Sequence, residues 1–162
     1  AVKATFVERL MALSATHNLL VKHSWESANF SELAQASLDH YGQPYTLEGP
    51  ELAMVPNTAV TIGMALHELA TNAVKYGAWS AGGAVRLTTA YDAGADEVVI
   101  TWREEGGPPL TPPRSKGFGS RLLERGVANE LGGHVTLDFT ASGLVCEIRT
   151  AVSRRLAPKE AA

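Results

Sequence analysis

The chain has 162 residues, of which 45% are hydrophobic and 19% charged, and its net charge is −3. That length suits one domain burying roughly two-thirds of its unfolded surface, and the slight negative charge supplies no broad positive field for a nucleic-acid backbone. No apolar run reaches the ~18 residues of a membrane span, and the start AVKATFVERL lacks the apolar block of a signal peptide.

In chain order, Phe6, Leu10, Leu13, Leu20 and Val21 recur at three- and four-residue steps, which predicts an amphipathic helix over 6–21. It begins almost at the first residue with no cap before it, as in a piece cut from a longer chain. A second helix is expected over 30–41, behind Asn29 as cap and ending at Gly42. QPYTLEGPELAMV reads as short extended segments on either side of a Gly49-Pro50 turn. Pro56 then opens a helix that ends near Gly77.

Beyond it the period changes to two. Val85, Leu87 and Thr89 share one face, the turn DAGAD follows, and EVVITW completes a hairpin. Residues 104–119 hold four prolines and four glycines, so a long irregular loop is expected. Leu122, Leu123, Val127 and Leu131 then mark a helix stopped by Gly132-Gly133, and HVTLDFTASGLVCEIRTAV a second hairpin turned at 141–143. RRLAPKEAA is expected to fray. The single cysteine, Cys146, falls in the last hairpin and fits a reducing compartment. Helix, hairpin, loop, helix, hairpin describes an α+β fold, a two-layer sandwich with helices on one face of a largely antiparallel sheet.

The stretch HELATNAVKYGA carries the chemistry. At about 100° per residue, Ile62, Leu66, Leu69, Ala73 and Tyr76 fall within about 80° of one another, the face that should pack on the sheet. With Glu68 at zero, Asn72 lies near about +40° and Lys75 near about −20°, so the three form one polar stripe bordering that face. A carboxylate, an amide oxygen and an ammonium in line suit a hydrated Mg²⁺ and the phosphates it carries. Alternatively, they are a solvated helix edge. Two further signals point the same way. GFGS, 117–120, precedes a helix and could offer amides to an anion, and WREEGG ends a strand with acid that could accept from an exocyclic amine.

Taken in order, HELATNAVKYG, WREEGGPP and KGFGSRLLERGVANELGG resemble the catalytic and ATP-binding domain of sensor histidine kinases of the HWE family, named for residues that here are His67, Trp102 and Glu104. The resemblance covers about 55–152. FVERLMALSATHNLL resembles the second dimerisation helix of that family, which divides the chain into a partial dimerisation region, 1–42, a catalytic domain, 43–153, and the tail, 154–162. The resemblance implies the Bergerat fold and ATP with Mg²⁺ as cofactors. It implies that Asn72 binds Mg²⁺, that Lys75 contacts a phosphate, and that Tyr76 lines the nucleotide site. Glu68 would hydrate the metal or orient the acceptor. Glu104 would accept the adenine amine, with Gly106 following it, and Gly117, Phe118, Gly119 and Ser120 would close over the phosphates. His67 is placed behind the site and Trp102 beneath it as packing.

The WREEGG segment departs from the commoner pattern of histidine kinases in carrying glutamate, Glu104, for aspartate. The acceptor histidine of the family is expected upstream, on the first dimerisation helix, since His17 and His23 lie on or just after the second dimerisation helix that opens this chain. The implied partners are that upstream segment with its sensor, a response-regulator receiver domain, and a second copy along Leu10, Leu13 and Leu20. A cytoplasmic location and no direct membrane contact go with them. A Bergerat ATPase, an anti-sigma-type serine kinase or a catalytically silent docking module are the alternatives.

Overall fold

A computed structural model describes residues 2–22, 27–109 and 118–159; His23, Gly117 and most of the proline-rich loop lie outside them. Helix α1 (Val2–Lys22) leads to the two-residue strand β1 (Ala28–Asn29) and helix α2 (Phe30–Leu38). Phe30, Leu33, Ala34, Ser37 and Leu38 are buried at helical spacing, so α2 is held by one inward stripe. Asn29 makes no side-chain capping bond; it donates instead to Glu32 at 3.2 Å. The cap comes from afar, because the amide of Ser31 donates to Glu51 Oε1 at 2.9 Å and its hydroxyl donates to the same carboxylate. A carboxylate satisfies the open amides and complements the positive end of the helix dipole. The expected helix over 30–41 finishes as a 3₁₀ turn, Asp39–Tyr41, and reverses at Gly42 with φ 65°.

Strands β2 (Tyr45–Glu48) and β3 (Leu52–Met54) flank Gly49, yet they enter different sheets. Gly49 has φ 110°, and a Cβ there would stand 2.0 Å from the carbonyl oxygen of Thr89, so only glycine allows the chain to pass. Helix α3 (Pro56–Lys75) follows, then the hairpin β4 (Ala84–Asp92) and β5 (Glu97–Glu105), helix α4 (Phe118–Leu131), the hairpin β6 (His134–Thr140) and β7 (Gly143–Ala151), and β8 (Leu156–Pro158). The larger sheet runs β2-β4-β5-β7-β6; β2 and β4 are parallel, joined through α3, and the other pairs are antiparallel. Its inward face alternates as period two requires: Val98, Ile100, Trp102 and Glu104 on β5, and Leu144, Cys146, Ile148 and Thr150 on β7. Against it lie Ile62, Leu66, Leu69 and Ala73 of α3, all buried. Each large apolar side chain so buried stabilises by about 1.5–3 kcal/mol relative to exposure. Burial pushes the Cys146 thiol up to about 12, so it stays protonated and packs as a small apolar group.

Three expectations need correction. The tail is not frayed over its first part: β8 pairs antiparallel with β3, and Leu156 is fully buried, so apolar burial and ladder bonds outweigh terminal entropy there. Together with β1 it makes a second, three-stranded sheet, β1-β3-β8. Tyr76 does not share the inward face of α3, since it is the C-cap with φ −132° and stands 64% exposed. On α1, Leu10 and Leu13 are exposed as the stripe required, but Leu20 is buried, because the face that meets the other helices carries Thr16 and Leu20. No helix among the described residues is long and apolar enough to cross a membrane.

Candidate functional site

The site grows from the carboxy-terminal half of α3. The backbone carbonyl of Asn72 accepts the amides of Tyr76 at 2.8 Å and Gly77 at 3.0 Å, which ends the helix. The next amide, that of Ala78, donates to Glu104 Oε1 at 3.0 Å. Gly77 makes this approach possible, as a Cβ there would lie 2.1 Å from the same oxygen. So the helix end that bears Asn72, Lys75 and Tyr76 rests directly on the acid at the end of β5.

Glu104 is 2% exposed and held at both oxygens, because Trp102 Nε1 donates to Oε2 at 3.1 Å. A carboxylate so enclosed is tolerable only because each oxygen has a donor. The resemblance implies that Glu104 accepts the adenine amine, and burial makes it first an organiser of the loop. Trp102 is 1% exposed and meets Trp79 edge-on at a centroid distance of 5.7 Å, so it does pack beneath the site. Gly106 follows with φ 72°, a turn that favours glycine, and the amide of Gly107 donates to the carbonyl of Ser142 at 2.9 Å.

Helix α4 lies antiparallel along α3. Thr58 Oγ1 donates to Glu130 at 3.0 Å, and Gly126 lies against Thr61. Farther along, a cavity of about 150 Å³ is lined by Met64, Ala65, Glu68, Leu123 and Gly126. The same direction carries the first turn of α4, with Phe118, Gly119 and Ser120, toward the Asn72 end of α3, where helix-end amides favour an anion. Gly117 lies outside the described residues.

The polar stripe faces α1 rather than open solvent. Arg9 Nε lies 2.6 Å from Glu68 Oε1, with both side chains mostly buried, and Lys75 Nζ lies 3.8 Å from Glu8 Oε2 at a more exposed position. Asn72 is half-buried between them in sequence. Neither Glu8 nor Arg9 was found from sequence. The only signal was that Arg9 and Thr16, seven apart, break the apolar pattern on one helical face.

His67 lies off the stripe, buried, with Nδ1 2.9 Å from the Tyr41 hydroxyl, which is also 3.4 Å from Thr71 Oγ1. Burial lowers the His67 pKa, outweighing the nearby Glu68 and Glu8, and burial raises that of Tyr41. The pair is therefore a neutral phenol hydrogen-bonded to a neutral imidazole. Protonating His67 favours the unfolded chain, so its contribution is complete above the ordinary value of 6.5 and is lost as pH falls from there through the lower folded value. The melting temperature is expected to drop between pH 7 and 5, and His67→Gln to flatten that slope; an unchanged slope in the variant would refute the assignment.

Comparison with known proteins defines the class first. The histidine kinase domain of the Erythrobacter litoralis EL346 blue-light activated histidine kinase superposes with a TM-score of 0.71 at 18% identity, covering 92% of this chain and 75% of that one. The catalytic domain of histidine kinase ThkA gives 0.59 at 16%, covering 77% and 94%, and the ATP-binding domain of PrrB from Mycobacterium tuberculosis 0.59 at 17%, covering 78% and 96%. The fold is that of histidine kinase catalytic domains. The sequence model of the HWE histidine kinases matches residues 1–51. The blue-light-activated histidine kinase of Brucella ovis is 34% identical over 160 residues, covering 94% of this chain, and that of Brucella anthropi 33% identical over 163. Over its first 51 residues the chain is similar to the HWE histidine kinases, and over most of its length to blue-light-activated histidine kinases. It spans 33% of the length of those curated relatives.

Proposed function

We propose that this chain binds Mg-ATP and presents its γ-phosphoryl group to a histidine upstream of the present sequence, for relay to an aspartate of a response-regulator receiver domain. The observation that carries the reading is the junction at Gly77, where the end of α3 bearing Asn72 and Lys75 abuts Glu104 while the first turn of α4 heads for the same edge. The donor set fits the group: a neutral amide oxygen, a carboxylate and an ammonium match a cation that keeps most of its waters and a polyanion beside it. Asn72 would hold the metal, with Glu68 through water, and Lys75 would neutralise a phosphate. The metal would supply charge neutralisation of the phosphates. Gly119 and Ser120 would add helix-end amides.

Glu104 would serve the adenine by fixing the Gly77–Ala78 backbone beside it, and by lone pairs left beyond its two internal bonds. A cellular ATP supply and the single buried thiol fit the cytoplasm. Phosphoryl transfer asks for positioning more than for covalent help from the protein. Titration calorimetry should give Mg-ATP binding that is lost in EDTA. A longer protein including the upstream segment should gain an acid-labile phosphohistidine. A folded chain that ignores nucleotide would remove the proposal.

A further inference from the structure

We propose that the outer edge of β6 is a self-pairing surface, through which two copies of this chain join antiparallel into one continuous sheet. Nucleotide plays no part in it. β6 closes one end of the larger sheet and has β7 as its ladder partner among the described residues. The register shows which of its main-chain groups are open. Successive residues of a strand turn their amides and carbonyls to opposite edges. The amide of Val85 donates to the carbonyl of Pro44 at 3.2 Å, on the β2 side, so Arg86 bonds toward β5. The register then places Arg86 opposite Arg103, Trp102 opposite Cys146 and Val145 opposite Asp138. Carried across the sheet, the alternation turns Asp138 toward β7 and leaves Val135, Leu137 and Phe139 bonding outward.

Edges of this kind are ordinarily blunted by lysine, proline, a bulge or an inward-pointing charge. β6 carries none of these. Its seven residues pair one to one with β7, and its inward side chains are Val135, Leu137 and Phe139. All three are only half-buried, although Ile148, Cys146 and Leu144, which face them on β7, are buried. The opposite edge, β2, is four residues long and runs into Gly49-Pro50.

A second copy fits this edge better than an arbitrary strand, because the sequence is complementary to itself about Leu137. With the two-fold axis there, Leu137 meets its own counterpart and Val135 meets Phe139. All three outward residues are then used, with about six main-chain bonds between the copies. The apolar flank of one edge covers that of the other. On the open face the one carboxylate of the strand, Asp138, meets the Thr136 hydroxyl, with the His134 ring diagonal to it. An acceptor so meets donors, and no like charges oppose each other. A joint one strand long lies at the low end of specific interfaces, below about 1,200 Å², so the association is reversible and depends on concentration.

Sedimentation velocity over an about 100-fold range of concentration tests it. The weight-average mass should rise toward twice that of the chain. Thr136→Asp, at an exposed position, sets like charges opposite each other twice and should weaken association by about tenfold or more, with a thermal melt to show that the fold is kept. Adding Asp138→Lys should restore it. Register is read separately by oxidising Thr136→Cys mixed with Asp138→Cys. The mixture should cross-link across a pair with Cα atoms about 4.5 Å apart, and neither variant alone should. A chain that stays monomeric throughout overturns the proposal, as do dimers that Thr136→Asp leaves intact, which would sit instead on the exposed Phe6, Leu10 and Met11 of α1. Cross-linking as strong in each single variant as in the mixture overturns the register and the pairing with it.

Discussion

Asn72→Ala is expected to weaken Mg-ATP binding by about 100-fold or more, since loss of residues that merely orient metal ligands already costs 10–100-fold in metal affinity. The fold should survive. The Asn72 side chain is only half-buried, its backbone carbonyl still takes the amides of Tyr76 and Gly77, and alanine is a better helix former than asparagine. Calorimetry for affinity and a thermal melt for folding separate the two effects. Equal affinity in a variant that melts with the parent would refute Asn72 as the metal-binding residue and, with it, the nucleotide assignment of the stripe.

The second large effect is structural. Trp102→Ala should lower stability by about 3–5 kcal/mol, the range for deleting a buried aromatic, and a domain of this size has only about 5–15 kcal/mol to lose. Trp102→Phe keeps most of the packing against Trp79 but removes the donor to Glu104 Oε2, for which about 1–3 kcal/mol is expected. Urea unfolding of both variants reads the difference. If Phe costs as much as Ala, the indole acts mainly through the Glu104 bond, and if Phe costs nothing, that bond does not hold the acid.

How much of this was written in the chain differs from element to element. Helix α3 and the two hairpins were legible because period 3.6 and period 2 are local signals, and Gly42 and Gly132 stop helices with left-handed backbone at 65° and 67°. The stripe of Glu68, Asn72 and Lys75 was legible for the same reason. What sits on it was not, since Glu8 and Arg9 reach it across roughly sixty residues of sequence and no local pattern encodes such a pairing. The small sheet escaped because its strands have two or three residues each, too few to show a period. Asn29 holds the cap position as expected but makes no side-chain cap bond, because Glu51, twenty residues beyond Ser31, takes the open amide. Glu104 was found by type and position, but its burial depends on Gly77 and Trp102 closing around it.

The one parallel pairing bears on how the molecule assembles. β4 meets β5, and β6 meets β7, across tight turns, whereas β2 can reach β4 only after the whole of α3 has been threaded between them. With loop-closure entropy growing as (3/2)RT ln n, a roughly tenfold longer connection adds about 2 kcal/mol to that step. Chain entropy therefore favours hairpin nuclei first and docking of β2 last. Until then one rim of β4 keeps its amides and carbonyls uncovered, and it is the stretch of newly made chain most open to pairing with a neighbour.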